Sequence, residues 1–134
     1  MSHRSAMVNI APDRAVQKAH RQATAAPVRE IAGTLQEVLS RRLTAFIAGV
    51  GDAKTVSRWA SGEVSEIRDV WMEQRLRTAY EIAQLLLAYD AVQTVKAWFI
   101  GLNPQLGDVS PAEALRDGRL KETLSAARAF TVGG

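Results

Sequence analysis

The stretch Trp98–Gly118, WFIGLNPQLGDVSPAEALRDG, decides how this chain is read. It has the marks of a helix end, a tight ordered loop and a short helix with a firm stop. Ser110 stands at an N-cap position, Pro111 at the first helical position and Glu113 three residues after the cap. That spacing is a capping box, in which the hydroxyl accepts from an orphan amide and the carboxylate reaches back to the cap residue's own N–H. Gly118 supplies the left-handed residue that ends the helix. Asn103-Pro104 and Gly107-Asp108 are turn formers on either side of Leu106, an apolar residue for which a solvated loop has no use. On local chemistry alone the stretch reads first as an ordinary helix-loop-helix corner.

Working outward, Asp90 is expected to cap a helix carrying Val92, Val95, Trp98 and Phe99, which leads into the loop. Gly118 is followed by a last helix, about Arg119 to Phe130, with Leu120, Leu124 and Ala127 on one face. Upstream, the segment from Asp69 to Tyr89 reads as one long helix. Leu76, Ala79, Tyr80, Ala83, Leu86 and Leu87 form its apolar face, and Ile82 and Leu85 widen it. A helix apolar over so much of its circumference must be covered on more than one side. It is expected to be the spine of the molecule, with a surplus face suited either to the core or to a homodimer.

A tryptophan near a helix end, then N-P-x-L-G, then P-x-x-x-L and a closing small-residue turn resembles the Xre/MbcA/ParS toxin-binding domain of bacterial antitoxins. The matching positions are Ala97, Trp98, Asn103, Pro104, Leu106, Gly107, Pro111, Leu115 and Gly118, and the likeness covers about the last half of the chain. The resemblance implies a type II antitoxin whose partner is a RES-domain toxin that degrades NAD. Toxin contacts are then expected from Trp98, Asn103, Pro104, Leu106, Gly107, Leu120, Leu124, Arg128 and Phe130. Arg128 can offer a guanidinium fork and Phe130 can fill an apolar pocket, so the expected mechanism is occlusion of the toxin's nucleotide site.

In the front half the periodicity becomes clear from Pro27. Val28, Ile31, Leu35 and Leu39, supported by Val38, form one helical stripe. A second short helix places Leu43, Phe46, Ile47 and Val50 on one face. Gly49 to Gly51 breaks it, and Asp52 can cap a third helix in which Val56 and Trp59 face inward. The pattern L-x-x-x-I-A-x-V-x-D-x-x-T-V-S-R-W-x-x-G, from Leu43 to Gly62, resembles a Cro/Xre helix-turn-helix, with a turn one residue longer than usual. This implies operator DNA as a second partner. Ala53, Lys54, Thr55, Ser57 and Arg58 would face the groove, with Arg41 and Arg42 gripping the flanking backbone. The alternative is a generic three-helix unit whose polar residues face water.

Residues 1–26 read as a basic arm, mobile or weakly helical, because the face of Ala11, Ala15, Val16 and Ala19 is too thin to dock firmly. The expected division is therefore an arm at 1–26, a helix-turn-helix domain at 27–65 and a C-terminal toxin-binding and dimerisation domain at 66–134. The fold expected is all-α, with the long helix joining the two halves. Residues 1–60 hold nine Lys/Arg against four Asp/Glu and residues 61–134 hold eight against ten, which points the basic front half at phosphates.

The chemistry classes narrow further. There is no cysteine, hence no disulfide, thiolate metal site or cysteine nucleophile. Both histidines, His3 and His20, lie in the arm, and the serines have no evident partner base. Carboxylates such as Asp69, Glu73 and Glu81 sit at helical surface spacing and are read as solvated. No enzyme, cofactor or metal is expected. No apolar run has the length of a membrane span and no signal pattern opens the chain, so the expected location is the cytoplasm, with no membrane partner. Three functions stay in view: an antitoxin, a helix-turn-helix regulator with no toxin partner, and an adaptor that has lost DNA binding.

Overall fold

The computed structural model describes residues 2–133, with the side chains of residues 14–133. Among the described residues it is all-α: eight α-helices and one 3₁₀ turn, with no strand beyond a single bridge between Asn103 and Val109.

The organising element is α5, Val70–Leu87. Asp69 caps it, its Oδ1 accepting from the Met72 N–H at 3.0 Å. Leu76, Ala79, Tyr80, Ile82, Ala83, Leu85 and Leu86 are all buried, and helices pack around it from both ends of the chain. The spine reading holds. Its surplus face, however, is covered from within the chain rather than left for a second copy. The helix doing so is α1, Ser2–Ala25, which packs along α5.

That docking corrects the arm reading for residues 14–25. Ala19 and Ala23 are buried, Ala15 and Val16 pack at the edge of the core, and Ala26 closes the end. A stripe of alanines buries little area per residue, but it lets two helices approach closely and gain dispersion contacts along their length. Polar contacts add to it. His20 Nδ1 lies 3.3 Å from the Glu81 carboxylate, and Arg77 Nη1 donates to the carbonyls of Ala23 and Ala26, each at 2.9 Å. Glu81, read as solvated, is buried.

Helices α2 (Val28–Leu39), α3 (Arg41–Ala48) and α4 (Lys54–Ser61) pack on one another and on α5. Pro27 starts α2, its carbonyl accepting from Glu30 and Ile31. Ser40 then takes a positive φ of 98° and caps α3 through its hydroxyl, which accepts from Leu43 N–H. The buried face of α3 is Thr44, Ala45, Ile47 and Ala48. Phe46, expected on that face, is 39% exposed. Val56 and Trp59 of α4 are buried as expected.

The rest of the chain is α6 (Val92–Ile100), a 3₁₀ turn (Pro104–Leu106), α7 (Pro111–Arg116) and α8 (Leu120–Thr131). Asp90 does not cap α6: its N–H closes the last turn of α5 on the Leu86 carbonyl at 2.9 Å, and Ala91 takes the cap position with no side-chain bond. Ser110 does cap α7, accepting from Glu113 N–H at 3.1 Å, while the Glu113 carboxylate makes no return bond among the described residues. Gly118, at φ 85°, ends α7 in a Schellman turn, with Arg119 N–H on the Ala114 carbonyl and Gly118 N–H on that of Leu115. Buried side chains from α1 to α8 belong to one continuous core, so the three expected segments share a single interior.

Candidate functional site

Two surfaces hold the residues singled out in the sequence. The first is the end of the molecule where α6, the 3₁₀ turn and α8 meet. Asn103 nucleates the loop: its Oδ1 accepts from Gln105 N–H at 2.9 Å and its carbonyl accepts from Leu106 and Asp108 N–H. Gly107 and Asp108 follow in succession with φ of 73° and 64°, which reverses the chain within one turn. Leu106 is fully buried. Arg119 clamps the loop from the start of α8, with Nη1 on the Leu106 carbonyl at 3.0 Å. The same guanidinium bonds the Glu122 carboxylate at 2.8 Å and so holds that carboxyl below its usual range.

This geometry separates the expected contact residues into two groups. Trp98 and Leu106 are buried and Leu120 and Leu124 half-buried, so they support the surface rather than form it. Trp98 stands edge-on to Phe99 at 5.4 Å, and Phe130 leans on Trp98 at 6.3 Å. The docked face of α8 is Thr123, Ala126 and Ala127. Pro104, Gly107, Arg128 and Phe130 are exposed, with Asn103 half-buried.

Ile100 and Leu102 also belong to this surface and were not expected there; they are 55% and 75% exposed. Leu102 continues the i, i+3, i+4, i+7 stripe of Val95, Trp98 and Phe99, which reads as core. Gly101 breaks the helix with an extended backbone (φ −80°, ψ 156°), and the stripe ends before Leu102. The glycine was the available signal. Val132 and Phe130 are exposed as well, and Phe130 reaches this end of the molecule through its contact with Trp98, while Arg128 lines a separate cleft with Val16, Gln17, His20 and Arg21 of α1.

The second surface is built by α3, the turn Gly49–Ala53 and α4. Asp52 caps the start of α4, its Oδ1 accepting from Lys54 N–H at 2.9 Å. Lys54 and Arg58 are exposed, and Ala53, Thr55 and Ser57 are half-buried. Ser57 is engaged within the protein: it accepts from Arg41 Nη1 at 3.2 Å and donates to Gln36 Oε1 at 3.4 Å. Arg41 is thereby tied to α4, and both Arg41 and Arg42 are exposed. Arg58 lies 3.8 Å from Glu63, both well solvated, a pair of little energetic weight.

Among the described residues, no group of three or more His, Asp or Glu side chains is placed to hold a metal ion, and no helix is long and apolar enough to cross a membrane.

Compared with protein families, curated proteins and solved structures, the chain matches none.

Proposed function

We propose that this protein is a cytoplasmic antitoxin of the Xre/MbcA/ParS kind that neutralises an NAD-degrading RES-domain toxin by covering its nucleotide site. The observation that carries this reading is the exposure of Ile100, Leu102, Phe130 and Val132 next to a braced loop, with Arg128 exposed on the same last helix as Phe130. An occluding surface needs apolar groups to enter a cleft, a cation to meet phosphate-binding or acidic groups, and a rigid base that limits the ordering cost of docking. The loop from Asn103 to Gly107 supplies the base. The proposed action is steric and requires no bond chemistry of this chain. The complex would be a homodimer or a hetero-oligomer with the toxin.

The test is co-expression with the toxin-sized product of an adjacent reading frame, scored by growth, cellular NAD and co-purification. Ala127 is buried in the core, so truncation to probe the tail must spare it. Phe130→Ser with Arg128→Ala should keep the fold and abolish rescue. Full neutralisation by that variant would exclude occlusion by the tail.

A second reading, a helix-turn-helix regulator without a toxin, is favoured by the exposed Lys54, Arg42 and Arg58 around α4. In the antitoxin reading the same face autoregulates the operon. Lys54→Ala with Arg58→Ala should weaken promoter binding and leave toxin capture intact. Unchanged retardation of promoter DNA by this variant would remove α4 as the reading element.

A further inference from the structure

Arg116 belongs to α7, in the C-terminal half, yet its guanidinium sits on the helix-turn-helix. Nη1 donates to the Phe46 carbonyl at 2.8 Å and the guanidinium carbon lies 4.6 Å over the Phe46 ring. This explains why Phe46 is left at the surface: its ring is the platform for a cation. Arg116 and Arg42 line the same cleft of about 490 Å³, whose floor is the Gly51 turn and Ala53 at the start of α4. None of Arg116, Arg42 or Lys54 makes an ion pair among the described residues. Arg119, three residues on, is by contrast neutralised by Glu122. Two unpaired guanidinium groups on one cleft suit a phosphate by charge and fork geometry, and Arg116, fixed by a ring and a carbonyl, loses little entropy on binding one.

We infer that Arg116 and Arg42 form a clamp for a backbone phosphate of duplex DNA, so that the C-terminal half contributes directly to the DNA-binding surface. This rests on the DNA-binding part of the function proposed above and adds to it a contact from outside the helix-turn-helix. A phosphate contact positions the protein without reading sequence, so its loss should weaken promoter and scrambled duplexes alike.

The experiment is fluorescence anisotropy of the full chain with duplex DNA from upstream of its own gene, titrated at several salt concentrations. For Arg116→Gln the slope of log affinity against log salt should shrink by about 0.9, so that the affinity lost between about 50 and 200 mM salt is about 3.5-fold smaller. Arg116→Lys should retain the slope. In the wild-type protein, DNA should shield Arg116 and Arg42 from phenylglyoxal, mapped by mass spectrometry, and leave Arg119 as reactive as before. A folded Arg116→Gln protein with the wild-type slope, or equal labelling of Arg116 with and without DNA, overturns the clamp while leaving α4 binding in place. No binding by the wild-type chain overturns the clamp and the DNA reading together.

Discussion

Arg77 on α5 donates through a single nitrogen to the carbonyl of Ala23, and to that of Ala26, across more than fifty residues of sequence. The last carbonyls of a helix have no partner within it. Here the neighbouring helix supplies one, and Glu73, bonded to Arg77 Nε at 2.8 Å, holds the guanidinium in position.

Arg77→Ala should therefore loosen α1 selectively. Two part-buried carbonyls lose their donor, which costs about 1–3 kcal/mol. Hydrogen exchange should quicken over residues 14–25 while the amides of α2 stay protected. Uniform quickening along the chain would contradict a local clasp.

Gly49 and Gly118 both adopt left-handed backbone, at φ 84° and 85°. A methyl group at Gly118 meets open space, whereas at Gly49 it comes within 3.1 Å of Arg75 Nη2. Arg75 needs that place, because Nη2 donates to the Ala48 carbonyl at 2.7 Å. Gly118→Ala should cost only the backbone strain of about 1–2 kcal/mol. Gly49→Ala should melt lower still, since it also displaces Arg75. Equal melting temperatures would show that the crowding is relieved without loss.

Leu106 and Leu102 stand four residues apart with opposite surroundings, one fully buried and one 75% exposed. Leu106→Ala should destabilise the fold by about 2–5 kcal/mol through the cavity it leaves. Leu102→Ala should change stability by less than about 0.5 kcal/mol. Under the proposed antitoxin function it should nonetheless weaken co-purification with the proposed toxin partner, which separates the surface from its support. Undiminished capture by folded Leu102→Ala would remove this residue from the interface.

Tyr80 titrates above its ordinary value, first because burial disfavours the phenolate and second because its hydroxyl donates to Glu30 Oε2 at 2.7 Å. Its folded pKa is raised, so above about pH 10 the unfolded chain sheds the proton before the native protein does. The stabilisation is complete below the unfolded pKa and drains away as pH rises through the folded one. Stability should thus fall more steeply above about pH 10 in the wild type than in Tyr80→Phe, measured by denaturant midpoints. Parallel curves would mean that the phenol gains nothing from its site.

Periodicity recovered α2 and α5 because each carries large apolar residues on a stripe, and cap chemistry recovered Ser110 and Gly118. It failed where the docking residues are small or the bonds long-range. α1 carries mainly alanine on its buried face, so nothing in its own composition announces that Arg77 and Glu81 will receive it. Phe46 reads as core at its spacing, and only Arg116, seventy residues away, explains its exposure.

Helical class, the order of the elements and the loop at Asn103–Gly107 were determined by the sequence alone, since hydrophobic period, capping and turn preference act over a few neighbouring residues. Tertiary structure alone decided which apolar residues support a surface and which form it, as with Trp98 and Leu106 against Ile100 and Leu102. It also decided that a C-terminal arginine, Arg116, lies on α3. Both depend on which helices meet, and that is set by packing of the whole core rather than by any local preference.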